Sequence, residues 1–120
     1  MSGPPIVVHE GAAPKLFIRL KKRDPSKPGG TLPYIITGAT FEFNVKEDPD
    51  SPTEAFDYNS PTEIQIITDG TVLGAKYSEI SIQTAAADHL VPGFYYYHLV
   101  VIVSGLPDIV AANTYEVVNI

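Results

Sequence analysis

The chain has 120 residues, 44% of them hydrophobic, no cysteine, and a formal net charge of −6. That size and composition fit one domain with its own apolar core. The lack of thiols excludes disulfides and thiolate metal sites, and no apolar stretch is long enough for a membrane-spanning helix.

Pro4 and Pro5 with no apolar block behind them argue against a secretion signal, so a soluble protein made in a cytoplasm is the expectation. Eleven prolines and nine glycines are scattered along the chain, which suits short strands joined by turns. Charge is spread unevenly. Residues 1–40 carry six cations (Lys15, Arg19, Lys21, Lys22, Arg23, Lys27) against Glu10 and Asp24, a net +4. Residues 41–120 carry Lys46 and Lys76 against twelve acids, a net −10. Such charges either solvate strand faces or steer a bipolar molecule toward complementary neighbours.

Residues 1–14 have strand character only at Ile6, Val7 and Val8, and read as an N-terminal arm or edge strand preceding a domain over 15–120. Residues 15–22 alternate. Leu16, Ile18 and Leu20 point one way, and Lys15, Arg19 and Lys21 the other with Phe17 among them, which predicts a half-buried strand. Lys15, Arg19, Lys21, Lys22 and Arg23 form a candidate basic contact face. Nucleic acid is not the expected partner, because there is no helix to enter a groove, the chain is acidic overall, and only Phe17 offers a stacking platform.

After a loop at 24–30, residues 40–46 give the cleanest alternation, with Phe41, Phe43 and Val45 on one side and Thr40, Glu42, Asn44 and Lys46 on the other. Residues 47–61 read as an acidic, proline-punctuated loop with Phe56 or Tyr58 tucked onto the core. The carboxylates of Glu47, Asp48, Asp50, Glu54 and Asp57 lack the calcium-loop spacing, and no metal is expected. A short strand at 63–68 turns at Asp69 and Gly70. A returning strand follows over 75–84, with Ile80 and Ile82 inward and Glu79, Ser81 and Gln83 outward. Helix propensity is confined to about one turn at 85–88.

The longest apolar run lies within residues 88–103. Pro92 and Gly93 break the chain, and ten uncharged residues rich in β-branched and aromatic side chains follow. They predict a central strand covered on both faces. Tyr95 and Tyr97 share one face; Phe94, Tyr96, His98, Val100 and Ile102 share the other, which a second protein is expected to cover. Residues 105–108 turn the chain into a last strand holding Tyr115, Val117 and Val118. The whole predicts an all-β, immunoglobulin-like β-sandwich of about seven to eight antiparallel strands. Tyr95, just inside a strand after a Pro-Gly turn, is the candidate tyrosine corner.

Three stretches carry a family resemblance. They are Thr-Gly-Ala-Thr-Phe-Glu-Phe-Asn-Val-Lys at 37–46, the pair of strands at 64–68 and 79–82, and Leu-Val-Pro-Gly-Phe-Tyr-Tyr-Tyr-His-Leu at 90–99. In order and spacing they resemble the immunoglobulin-like domain of tailed-phage structural proteins, the type found at the N-terminus of baseplate upper proteins and of many tail-fibre proteins. The match spans roughly residues 15–120. It departs from that family in a longer proline-rich loop at 24–33 and in the expectation that the domain is the entire protein, without fibre shaft or receptor-binding head. The resemblance implies a virion building block, made in a host bacterial cytoplasm and present in many copies or as a homo-oligomer. Its partners would be other virion structural proteins. The placements it implies are a tail, baseplate or fibre-attachment component, or a capsid decoration protein.

No residue set points to a reaction. His9, His89 and His98 have no metal-ligand spacing, there is no nucleophile elbow, and Gly29 and Gly30 lead into a strand rather than a helix N-terminus. Glu42 and Glu79, both on strand exteriors, are a pair that could face each other; without a pocket such carboxylates are ordinarily solvated. No catalytic residue, cofactor or membrane contact is expected. A carbohydrate- or host-surface-binding module is the alternative, which would need an exposed aromatic cluster in one concave place.

Overall fold

The computed structural model describes residues 3–119. Among these the protein is nearly all-β. In chain order it comprises β1 (Ile6–His9), β2 (Lys15–Arg23), β3 (Thr31–Pro33), β4 (Thr40–Lys46), β5 (Phe56–Asn59), β6 (Ile64–Thr68) and β7 (Ser78–Gln83). A 3-10 turn (Ala86–His89) leads to β8 (Gly93–Val103) and β9 (Leu106–Val118). One sheet has the order β1-β9-β8-β4-β5 and the other β3-β2-β7-β6. β1 runs parallel to β9, and the other pairings are antiparallel.

Alternation of side chains builds the two layers. From the five-stranded sheet Phe41, Phe43, Val45, Tyr97, Leu99, Val101, Tyr115 and Val117 are buried; Ile18, Leu20, Ile64, Ile80 and Ile82 answer from the four-stranded sheet, in one continuous core. Burying a side chain of this size contributes about 1.5–3 kcal/mol, so this shared layer holds the sheets face to face. Aromatic rings fill its centre: Phe43 lies 5.0 Å from Tyr97 and 6.0 Å from Tyr115, centroid to centroid.

β8 is the middle strand of its sheet, flanked by β4 and β9. Its register with β9 shifts after Leu99: Leu99 opposes Ala111 and Val100 opposes Ile109. Val110 is the extra residue, and this bulge turns both Val110 and Ala111 into the core, at 1% and 2% exposed.

Among the described residues nine strands stand where about seven to eight are expected. Residues 6–9 are an edge strand rather than a free arm, held by Ile6 and Val8 in the core. Residues 56–59, expected as loop, pair with β4 over Val45↔Phe56 to Glu42↔Asn59 and bury Tyr58. The turn expected at 105–108 lies instead at Ser104 and Gly105, both at positive φ (52° and 79°), the backbone that a two-residue hairpin between right-twisted strands requires. Pro107 sits inside β9, opposite Ile102. It is tolerated because β1 pairs with β9 only at 115–118, which leaves β9 an edge strand at residue 107.

Candidate protein-contact faces

At the end of the layers where the 3-10 turn lies, a polar clasp is buried. His89 is fully buried. Its Nδ1 lies 2.7 Å from the Ala12 carbonyl oxygen and its Nε2 lies 2.6 Å from the Tyr115 hydroxyl. A carbonyl only accepts, so Nδ1 carries the proton and Nε2 accepts from Tyr115. Beside it the Tyr58 hydroxyl donates to Asp88 Oδ2 (3.0 Å) and accepts from the Ala85 N–H (3.2 Å). Burial first, then the charge of neighbouring groups, holds the Tyr115 phenol well above its ordinary range, and burial does the same for Tyr58. Among the described residues no buried side-chain polar atom lacks a partner. This histidine and these tyrosines are shielded from solvent and spend their polar atoms on one another and on the backbone. Their chemistry is to tie β9, β5, the 3-10 turn and the segment before β2 together.

Tyr95 is half-buried, and its hydroxyl donates to the Val91 carbonyl at 3.4 Å, long for an O–H···O bond. Its ring packs on Phe56 at 5.8 Å. Tyr97 is the fully buried ring of the pair, and its hydroxyl donates to the Pro4 carbonyl at 2.6 Å, which pins the N-terminal segment against β8. Burial pushes the Tyr97 phenol up to about 12.

The other side of β8 faces out of the molecule. Phe94 is 64% exposed and Tyr96 37%, while His98, Val100 and Ile102 are half-buried among their sheet neighbours. Glu116 stands beside Phe94, Thr114 beside Tyr96, Asn44 and Ala112 beside His98, and Glu42 beside Val100. The surface has an apolar central column and polar flanks, and beside Pro49 it dips into a shallow recess of about 310 Å³ lined by Tyr96, His98, Ala112, Asn113 and Thr114.

On the opposite sheet, Lys15, Arg19, Lys21, Lys22 and Arg23 are all exposed. Lys15, Phe17, Arg19, Lys21 and Arg23 share the outer face by alternation. Lys22 lies on the side of Leu20, beyond the end of the core, with Leu32 as its neighbour. Arg19 is held in place: its Nε lies 3.4 Å from Glu79 Oε2, and its guanidinium sits 4.3 Å over the Tyr77 ring. Glu42 and Glu79, which sequence spacing allowed to face each other, cannot do so. They project from β4 and β7, on the outer faces of different sheets.

Among the described residues no group of three or more His, Asp or Glu side chains could hold a metal ion. A hollow of about 420 Å³ beside the β6 edge is lined by Phe41, Pro61, Ile64 and Ile66 among others and contains no titratable side chain. Sequence reasoning missed the clasp. Its one signal was a histidine in the turn before an apolar strand, and its partners lie 26 and 77 positions away. Compared with protein-family models, curated proteins and solved structures, the chain matches none.

Proposed function

We propose that this chain is an immunoglobulin-like β-sandwich that serves as a non-enzymatic structural protein of a tailed-phage virion. It acts through protein–protein contacts as a tail, baseplate or fibre-attachment component. The observation that carries the reading is strand order. β4-β8-β9 and β2-β7-β6 follow the C-F-G and B-E-D orders of immunoglobulin-like sheets, with β5 added beside β4 as in the variable type. The motif resemblance over residues 15–120 supplies the phage assignment. Tyr95 takes the tyrosine-corner role, its hydroxyl turned back to Val91.

The surfaces favour contact over catalysis or sugar binding. Phe94 lies outside the shallow recess that Tyr96 lines, so the exposed rings of β8 do not converge in one concave place, and the histidine and tyrosines of the clasp are shut away from solvent. The same contact chemistry suits a capsid decoration protein. Mass spectrometry of gradient-purified particles tests the reading. Recovery of the chain in multi-copy amounts supports it, and particles without the chain overturn it.

A further inference from the structure

The two outer sheet faces carry opposite charge. On the four-stranded sheet Lys15, Arg19, Lys21 and Arg23 stand against Glu79, a net +3. On the five-stranded sheet Glu42, Asp57 and Glu116 stand against Lys46, a net −2, and the adjoining loop at 47–55 adds Glu47, Asp48, Asp50 and Glu54. Among the described residues Arg19–Glu79 is the one ion pair. The remaining charges on both faces have no counter-ion among the described residues. Each face also exposes an aromatic side chain near these charges: Phe17, 57% exposed, on the basic face, and Phe94, 64% exposed, on the acidic one.

From this we infer that the partner of each face is the other face of a second copy of this chain, stacked sheet on sheet. This deepens the proposed structural role and rests on it. Like-on-like pairing of either face would oppose charges of one sign, so the contact is heterologous, front to back. Sheets packed this way lie about 10 Å apart. At about 4.8 Å between strands and 3.3 Å per residue, the strand residues of the four-stranded face cover about 360 Å² and those of the five-stranded one about 620 Å². The smaller face limits the contact to about 700 Å² in total, below stable specific interfaces and in the range of weak, transient ones. The contact is therefore reversible and salt-sensitive in solution. Because a heterologous contact repeats, it propagates along a row or closes into a ring.

The test is sedimentation equilibrium of the full chain at low salt and at about 1 M salt, where screening acts within roughly 3 Å. Wild type at low salt should show a weight-average mass rising at least about twofold toward high micromolar protein, and should return to monomer at high salt. The double variant Lys21→Glu/Arg23→Glu, and separately Glu42→Lys/Glu116→Lys, should each be monomeric at low salt. Mixing the two variants should restore association, because each reversed face then meets an opposite one. All four positions are on outer faces, so circular dichroism and melting temperature should stay at wild-type values. Wild type that is monomeric at every low-salt concentration overturns the stacking, as does association that survives both reversals or fails to return on mixing. A monomeric protein still found in purified particles sinks the stacking alone and leaves the structural role standing, its faces covered by a different particle protein.

Discussion

His89 Nε2 accepts a 2.6 Å hydrogen bond from the Tyr115 hydroxyl, with both side chains fully shielded from solvent. The bond joins the turn before β8 to the last strand, and through Nδ1 it reaches Ala12 ahead of β2. Tyr115→Phe removes the donor and leaves Nε2 unpaired in the core, which should cost about 1–3 kcal/mol. His89→Ala opens a cavity and orphans two partners, and should cost about 2–5 kcal/mol. Urea denaturation of the two single variants and the double variant checks this. The double variant should cost less than the sum, with a coupling of about 0.5–3 kcal/mol.

The Tyr97 hydroxyl fixes Pro4, and β1 follows two residues later. Tyr97→Phe keeps the buried ring and should lower global stability by only about 1 kcal/mol. Its effect should be local. Amide exchange in β1 should quicken while β4 and β8 keep their protection, as expected for an edge element whose tether is cut. Uniform loss of protection across both sheets would refute a local tether.

Alkaline pH should unfold the protein through its buried phenols. Tyr97 is raised from 10.0 to about 12, and Tyr58 and Tyr115 are raised as well, in each case chiefly by burial. A phenol raised on folding contributes stability that is fully present below its unfolded value near 10 and is lost as pH rises through the folded value. For Tyr97 this is on the order of 2–3 kcal/mol. Tyrosinate absorbance should therefore show a late wave above pH 10 that coincides with loss of the far-ultraviolet strand signal. A late wave absent from a folded protein would contradict the burial.

Outer-face and inner-face residues of β8 should separate stability from assembly. Leu99→Ala, at a fully buried position, should cost about 2–5 kcal/mol. Phe94→Ser, at a position 64% exposed, should change stability by no more than about 0.5 kcal/mol and should reduce incorporation into particles. Thermal melts and incorporation assays on the same two variants make the comparison.

Much of the layering was legible because it is local. The alternation of Phe41, Phe43 and Val45 with Glu42 and Asn44, and of Tyr95, Tyr97 and Leu99 with Tyr96 and His98, assigns each side chain to a layer through the two-residue period alone. The basic face of β2 followed from the same period. What period cannot encode is which strands share a sheet. The period alone therefore leaves Glu42 and Glu79 free to meet, although β4 and β7 lie in different sheets. Residues 56–59 were hidden by prolines and acids around them, and became a strand because β4 offers an edge and Tyr58 finds a partner in Asp88, thirty positions on. His89 offers only its place in the turn before β8 as a signal, since both ring nitrogens are satisfied across long sequence separations.

Electron cryo-microscopy of intact particles tests the proposed structural role most directly. The role predicts repeated density, in several copies per particle, into which the two sheets fit with the Phe94–Tyr96 face or the Lys15–Arg23 face against a neighbouring subunit. Particles that are complete and infectious yet carry no density for this fold would contradict it.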